Sequence, residues 1–569
     1  MTDVAGGPVP GPRRARRPPQ SPGRVGAASP GVGVHRIDRR RFLQALPGGL
    51  AALLAACRGA GERLADGAAN GPASSIALVD AVPTPPAGGL AADPFRLGVA
   101  SGDPRPDAVV LWTRLSTDPA ALDGGLAGLG GADVAVAWDV AEDAAFERVV
   151  ASAAVAAAAA DGYSIHADVT GLPADRWFHY RFRLGPWSSP VGRTRTAPAP
   201  DARPAGFVVA AASCQNYEAG TFVAHRHLAA EGADLVVFLG DFIYEGRATT
   251  GGVRSHPRDE ARDLDGYRLR YAWYRSDPDL QAASAAAPWA VIWDDHEVVK
   301  DYAADRRADG QPSPEFTARR AAAYRAWWEN QPVRLPRPDG DRLAVERELA
   351  WGRLARIVLL DGRSRRSPQA CGGGVGDACA DLDDPARTML GADQEAWVAE
   401  RFAASGAGGV TWTVLGNQTA LADLTVPRRG TRLTLFDQWD GYPQARERLL
   451  GAARDGRVRN LVALTGDLHS SIATDLQFDG SVVGSELVVS SISSVFAAGS
   501  ADLFELGLQL LDRVKLVDAR HRGYLRAEFG PEEAVFVFRH VDDARDPASP
   551  VRTASRWRLR AGDPGLQKA

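Results

Sequence analysis

The chain has 569 residues, enough for about two to four domains with sizeable cores. Hydrophobic residues make up 45% and charged residues 24%, which excludes a disordered chain, a collagen and a polytopic membrane protein. The formal charge of −4 hides an asymmetry, because the first 41 residues carry nine Arg against Asp3 and Asp38; the remaining 57 basic and 68 acidic residues give −11. So acidic a remainder disfavours nucleic acid as a stable partner, though not as a substrate.

Residues 1–34 are rich in Pro, Gly, Ala and Arg and have no apolar periodicity that could build a core. Asp38-Arg39-Arg40-Arg41-Phe42-Leu43 follows, and then an uncharged apolar run, Leu46 to Ala56, too short to span a bilayer. Together they resemble a twin-arginine export signal. The twin-arginine translocase is then a transient partner, and the product is periplasmic, a cell-surface lipoprotein or secreted. Leu54-Ala55-Ala56-Cys57 resembles a lipobox, and acylation of Cys57, tethering the protein to a membrane, is preferred to plain cleavage. Residues 1–57 are thus a signal region, and 58–93 an Ala/Gly/Pro-rich tether.

From 94 to 196 the pattern is short and alternating, as in Val109 to Thr113, Val134 to Trp138, Ile165 to Val169 and Trp177 to Phe182. This predicts an all-β sandwich of immunoglobulin or fibronectin type, in which His166 and His179 are structural. After an Ala-Pro linker at 197–204, Phe207 to Ala212, Leu235 to Leu239, Ala290 to Trp293 and Leu461 to Leu464 are continuous apolar runs. Strands of that kind are buried on both faces under helices such as Pro314 to Asn330, so 205–545 is predicted to be a layered α/β (α+β) catalytic domain. Residues 546–569 read as a C-terminal tail. The whole is taken as a monomer. Cys371 and Cys379 flank a Gly-rich loop whose spacing suits a local disulfide in an oxidising compartment. Cys214 is left unpaired, a state that invites burial or metal ligation.

Each of the four apolar strands runs directly into residues that bind metals: Ser213-Cys214-Gln215-Asn216, Gly240-Asp241-Phe242-Ile243-Tyr244-Glu245, Asp294-Asp295-His296-Glu297 and Gly466-Asp467-Leu468-His469-Ser470. Loops beyond the strand ends of an open α/β sheet gather into one crevice. Carboxylates gathered there repel one another unless cations neutralise them, so a metal centre is expected. Thiolate, phenolate and imidazole suit a transition metal, phenolate favouring ferric iron, while an Asp-rich subsite suits Ca²⁺, Mn²⁺ or Mg²⁺. Two such ions can position an activated water and stabilise a leaving oxygen.

These four motifs, with Leu97 to Pro104, Thr388 to Gly391, Asp437 to Pro443 and Ser491 to Ser494, resemble those of the PhoD-type alkaline phosphatases, within the calcineurin-like metallophosphoesterases. The likeness runs from about residue 95 to 541. It implies a metallophosphoesterase sandwich fold, with Asp241 bridging the metals, Cys214, Tyr244 and His469 completing a Fe³⁺ site, and Asp295 and Asp467 holding a Ca²⁺-like subsite. It also implies an alkaline optimum, with His296 binding phosphate or protonating the leaving group and Asp294 orienting its neighbours. Val299-Lys300-Asp301 stands where the family often has an acid and two Asn. Lys300 therefore brings positive charge where an amide could help hold Ca²⁺, and it is assigned to substrate phosphate.

The predicted function is that of an exported metal-dependent alkaline phosphatase or phosphodiesterase for phosphate scavenging, acting on mono- or diesters through a metal-activated hydroxide. One alternative is a phospholipase D-like phosphodiesterase; another, less favoured, is a non-catalytic surface binding module. Arg254, with His256, lies in a Gly-rich loop beyond the metal motif and is a candidate for phosphate contact, the alternative being a solvated loop. The basic stretch Arg363 to Pro368 could rim the cleft. His225 and His227, two apart on a predicted helix, cannot face one ligand together and are read as structural.

Overall fold

A computed structural model describes residue 90 and residues 92–569, apart from 248–250, 257–258, 309 and 497–498. The twin-arginine motif, Cys57 and nearly all of the tether lie outside the described residues.

The first stretch supplies β1 (Val99–Arg105), β2 (Ala108–Arg114), β3 (Val134–Ala141), β4 (Val149–Ala157), β5 (Ser164–Thr170), β6 (Trp177–Leu184), β7 (Trp187–Ser188) and β8 (Gly192–Arg195). Period-two alternation turns Val136, Trp138, Phe178 and Phe182 of one sheet toward Val109, Leu111, Ile165 and Ala167 of another, and these close a common core. His166 is structural: it stacks on Trp328 at 4.5 Å and bonds the Gln331 carbonyl at 2.9 Å.

The next strands are β9 (Phe207–Ala212), β10 (Leu235–Leu239), β11 (Pro288–Ile292), β12 (Arg347–Trp351), β13 (Ala355–Leu359) and β14 (Val375–Asp377). They are followed by β15 (Trp412–Asn417), β16 (Val426–Arg428), β17 (Thr431–Leu435), β18 (Leu461–Thr465), β19 (Ser471–Phe478) and β20 (Ser481–Val488). The last are β21 (Val514–Asp518), β22 (Arg522–Phe529), β23 (Glu533–Val541), β24 (Val551–Arg560) and β25 (Asp563–Lys568).

Two large sheets result, ordered β25-β24-β23-β22-β9-β10-β11-β1-β2-β5 and β12-β13-β15-β18-β20-β19-β21. They pack face to face through Val209, Val237, Leu239 and Ile292 on one side and Ile357, Leu359, Val414, Val462 and Leu464 on the other. The outer faces of β9–β11 lie under helices Val223–Ala229, Leu264–Arg275, Pro278–Ala286 and Pro314–Asn330, and those of β15 and β18 under Ala392–Gly408 and Pro443–Asp455. Burial on both faces is why these strands read as continuous apolar runs. In Pro314–Asn330, Ser313 Oγ caps the Phe316 N–H at 3.1 Å and Pro314 opens the first turn.

Three expectations are corrected. The all-β region is not an independent domain, because β1 pairs in parallel with β11 and joins β2 and β5 to the long sheet. That pairing satisfies two edges at once, and it needs Gly102, where a Cβ would fall 2.0 Å from the Pro332 carbonyl oxygen. Residues 546–569 are not a tail, because β24 and β25 extend the same sheet. Their alternation was masked by arginine: Trp557 and Leu559 face the core while Arg556, Arg558 and Arg560 alternate with them. Finally, the four strands with metal-binding ends do not share one open sheet; β18 belongs to the opposed one.

Candidate metal centre

The ends of β9, β10, β11 and β18 converge. Gln215 N donates to the Asp241 carbonyl at 3.1 Å, tying the first two loops, and Ser494 N donates to the Cys214 carbonyl at 3.2 Å, adding the strip after β20. Glu297 is the keystone of the third. Fully buried, it accepts from the backbone N–H groups of Asp241 (3.0 Å), Phe242 (2.6 Å) and Asp294 (2.8 Å). Burial pushes its carboxyl up to about 7, against the three donors, which favour the ionised form.

Cys214, Asp241, Asp467 and His469 all take left-handed backbone, with φ of 57°, 58°, 61° and 49°. Such conformations cost non-glycine residues of order 1–3 kcal/mol each, and their concentration here marks a site the fold over-determines.

One cluster holds Cys214, Asp241 and His469, whose ligand atoms lie within 4.8 Å of one another. Tyr244 Oη joins it, donating to Asp241 Oδ2 at 2.8 Å and lying 3.0 Å from His469 Nε2. Burial, and then the Asp241 charge, push the Cys214 thiol and the Tyr244 phenol well above their usual ranges. Only a cation would release those protons here. Burial pulls His469 down to about 3, so its ring is neutral, and with Nδ1 3.0 Å from the Val495 carbonyl its Nε2 keeps a lone pair.

The second group is carboxylate-rich. Asp241, Asp295 and His296 form one cluster and Asp294, Asp295 and Asp467 another. Asp295 Oδ1 and Asp294 Oδ2 are buried with no hydrogen-bond partner. The donor types and these orphaned oxygens fit metal ions in both subsites.

Beneath the carboxylates lies Arg363, fully buried, paired with Asp294 and, at 2.9 Å, with Asp437; its Nη2 stands 3.9 Å from Asp295 and 3.8 Å from Asp467. Asp437 also accepts from Arg366 at 2.6 Å. Burial opposes ionisation of Asp295, but the Arg363 charge outweighs it and holds that carboxyl well below its usual range.

His296 Nδ1 bonds Glu245 at 2.6 Å. Burial disfavours the charged ring, yet Glu245 and then Asp295 and Asp241 outweigh it and raise His296 well above the usual histidine range. Lys300 Nζ lies 3.2 Å from Asp301 Oδ2. These residues border a cleft of about 410 Å³ whose other wall is apolar, with Val375, Leu435, Leu468, Phe496 and Phe504.

The structure therefore brings together Cys214, Asp241, Tyr244, Asp295, His296, Lys300, Asp467 and His469. It does not bring Arg254, whose guanidinium lies 3.8 Å from the Tyr217 ring centre and pairs with Asp277 at 2.6 Å. His256 is buried against Tyr217 and Tyr274, so the loop is neither a phosphate contact nor solvated. Arg363 and Arg366 lie under the floor of the cleft instead of on its rim. Glu245, Glu297 and Asp437 stood within the quoted motifs without a role; only their partners across the fold reveal one.

Cys371 and Cys379 form a disulfide, with Cα atoms 5.8 Å apart, in the loop that carries Val375 to the cleft. Replacing both by Ser is expected to lower stability by about 2–3 kcal/mol, the loop-closure value for a separation of 8 residues. Urea unfolding of the two proteins under oxidising conditions checks this; equal midpoints would refute it.

Buried carboxylates beside a Cys, Tyr and His set, opening on a cleft, constitute the centre of a metal-dependent hydrolase. Models of the PhoD-like phosphatase and of the PhoD-like phosphatase N-terminal domain match residues 207–538 and 82–198. The chain is 38% identical to alkaline phosphatase D of Bacillus subtilis (strain 168) over 488 residues, which is 84% of this chain and 82% of that protein. A solved structure of PhoD matches it with a TM-score of 0.79 at 36% identity, covering 84% of this chain and 93% of that one. The chain belongs to the PhoD-like phosphatase family and is a phosphoric ester hydrolase of the phosphatase/phosphodiesterase type. A purely adhesive role is thereby set aside.

Proposed function

We propose that the protein is an exported phosphatase and phosphodiesterase that frees phosphate outside the cytoplasm, with a metallophosphoesterase sandwich built from the two opposed sheets. The observation that carries the site assignment is the convergence of Cys214, Asp241, Tyr244 and His469 beside Asp295 and Asp467. The first four would hold Fe³⁺, with Asp241 shared, and Asp295 and Asp467 would hold Ca²⁺, Mn²⁺ or Mg²⁺. When bound, the ions supply Lewis acidity and an activated water. Lys300 binds a phosphoryl oxygen, and His296, fixed through Nδ1 by Glu245, gives its Nε2 proton to the leaving oxygen. The twin-arginine motif supports export through its translocase, and the lipobox supports a membrane tether at Cys57.

The apolar wall with Phe496 and Phe504, ring centres 4.8 Å apart, favours a second reading: a phospholipase D-like phosphodiesterase for esters with a large apolar group. Hydrolysis of matched phosphomonoester, phosphodiester and phospholipid substrates by the mature protein separates the two. Chelation should abolish turnover of all three; turnover that survives exhaustive chelation would overturn the metal assignment.

His296→Asn should keep the full metal content and lose about 10²–10³-fold in kcat. The loss should grow as the leaving alcohol becomes more basic. A loss independent of the leaving group would instead assign His296 to binding.

A further inference from the structure

Away from the cleft, a second set of metal-binding side chains converges. Asp518 ends β21, His521 lies in the turn before β22, and His540 stands on β23. Their ligand atoms lie within 4.8 Å of one another. Asp518 Oδ2 is 2.8 Å from His521 Nδ1 and 3.7 Å from His540 Nδ1. The two rings are nearly parallel, 12° apart, with centres at 5.4 Å.

His540 argues against a plain hydrogen-bonded triad. It is 1% exposed, and its Nδ1 has no hydrogen-bond partner; 3.7 Å to Asp518 is too long for one. Its Nε2 lies 2.8 Å from Ser471 Oγ. With Nε2–H donating to Ser471, a bare Nδ1 lone pair is aimed at a carboxylate oxygen, an arrangement that only a cation between them makes favourable. Burial pulls His540 down to about 4, so its ring is neutral.

We propose that Asp518, His521 and His540 form a second metal site, distinct from the catalytic centre, for a divalent transition ion of the Zn²⁺, Co²⁺ or Ni²⁺ class. A tetrahedral ion with N and O ligands sets neighbouring ligand atoms about 3.3 Å apart, between the two distances observed. His521 binds as its Nε2–H tautomer, giving up its Nδ1 contact to Asp518. The fourth position opens to solvent beside His521, whose side chain is 35% exposed. Other charges nearby are Arg522 and Arg552. Arg522 is engaged with the carbonyls of Ala519 and His469, both at 2.5 Å, and Arg552 with Asp542 at 3.2 Å.

The ion has structural work here. Ala519 N donates to Glu505 at 2.9 Å and Arg520 lies 3.3 Å from the same carboxylate. The 518–522 turn thus holds helix Ala501–Leu508, which carries Phe504 to the cleft wall. An ion pinning the turn fixes that wall.

The test is the zinc content of the full chain, prepared without a metal-affinity step, dialysed against buffered Zn²⁺ and measured by elemental mass spectrometry. Working in an Asp241→Asn background keeps the outcome independent of the catalytic assignment. His521→Ala added to it should remove one equivalent of zinc and the zinc-dependent rise in Tm, and Asp518→Asn should do the same. Equal zinc content with and without His521 overturns the proposal, as does an Asp241→Asn protein that binds no zinc.

Discussion

Asp241→Asn is expected to reduce kcat/KM by at least about 10³-fold, roughly 4 kcal/mol of transition-state stabilisation. Asp241 belongs both to the Cys214–His469 cluster and to the Asp295–His296 cluster, so it is the one carboxylate placed to serve two ions. Its oxygens are already oriented: Oδ2 by the Tyr244 hydroxyl at 2.8 Å, Oδ1 by the His296 N–H at 3.3 Å. Asn keeps the shape and the left-handed backbone, which it tolerates well, but loses the charge that two cations would share. Burial raises the Asp241 carboxyl well above its usual range despite the opposing His296 charge, so in the metal-free protein the charge is a liability. The metal-free variant should therefore melt no lower than the metal-free parent while losing turnover. Metal content, Tm and kcat/KM measured on one preparation check this. Retention of more than about a tenth of the parental rate, less than 1.4 kcal/mol of effect, would sink the bridging role.

The site was legible where chemistry is local in sequence. Asp241 and Tyr244 are three residues apart, and Asp294-Asp295-His296 and Asp467 with His469 each sit on one strand end, so apolar runs followed by ligands announced them. What positions those ligands was not legible, because it acts across the fold. Arg363 lies 69 residues from Asp294 and its guanidinium carries no pattern of its own. Glu297 reads as one more acid until its three backbone donors are seen. Arg254 misled for the converse reason: a Gly-rich loop beside a metal motif suggests an anion contact, but stacking on Tyr217 and pairing with Asp277 consume the guanidinium. In the fold, alternation and apolar runs located the strands near 95–196 and 205–465. Which sheet each joined depended on edge pairing such as β1 with β11, a long-range choice that periodicity does not encode.

Arg363→Met should destabilise the chelated protein by about 3–5 kcal/mol, the usual result of removing one partner from a buried ion pair. Met has similar length and no charge, so packing is nearly kept and the effect isolates electrostatics. Arg363 is the cation that Asp294, Asp295, Asp437 and Asp467 share, and burial combined with those four charges holds it protonated far above its usual range in spite of desolvation. Without it, Asp437 retains Arg366, but Asp294 and Asp295 are left as fully buried carboxylates facing each other. Divalent ions in the neighbouring subsite would neutralise part of that charge. The stability deficit should therefore shrink when Ca²⁺ or Mn²⁺ is restored, and the variant should need more of either ion to reach half-maximal activity only if the arginine also orients the ligands. Denaturant midpoints with chelator and with added divalent ion distinguish the cases. A deficit that is the same in both would show that Arg363 acts on packing and not as the counter-charge of the metal-binding floor.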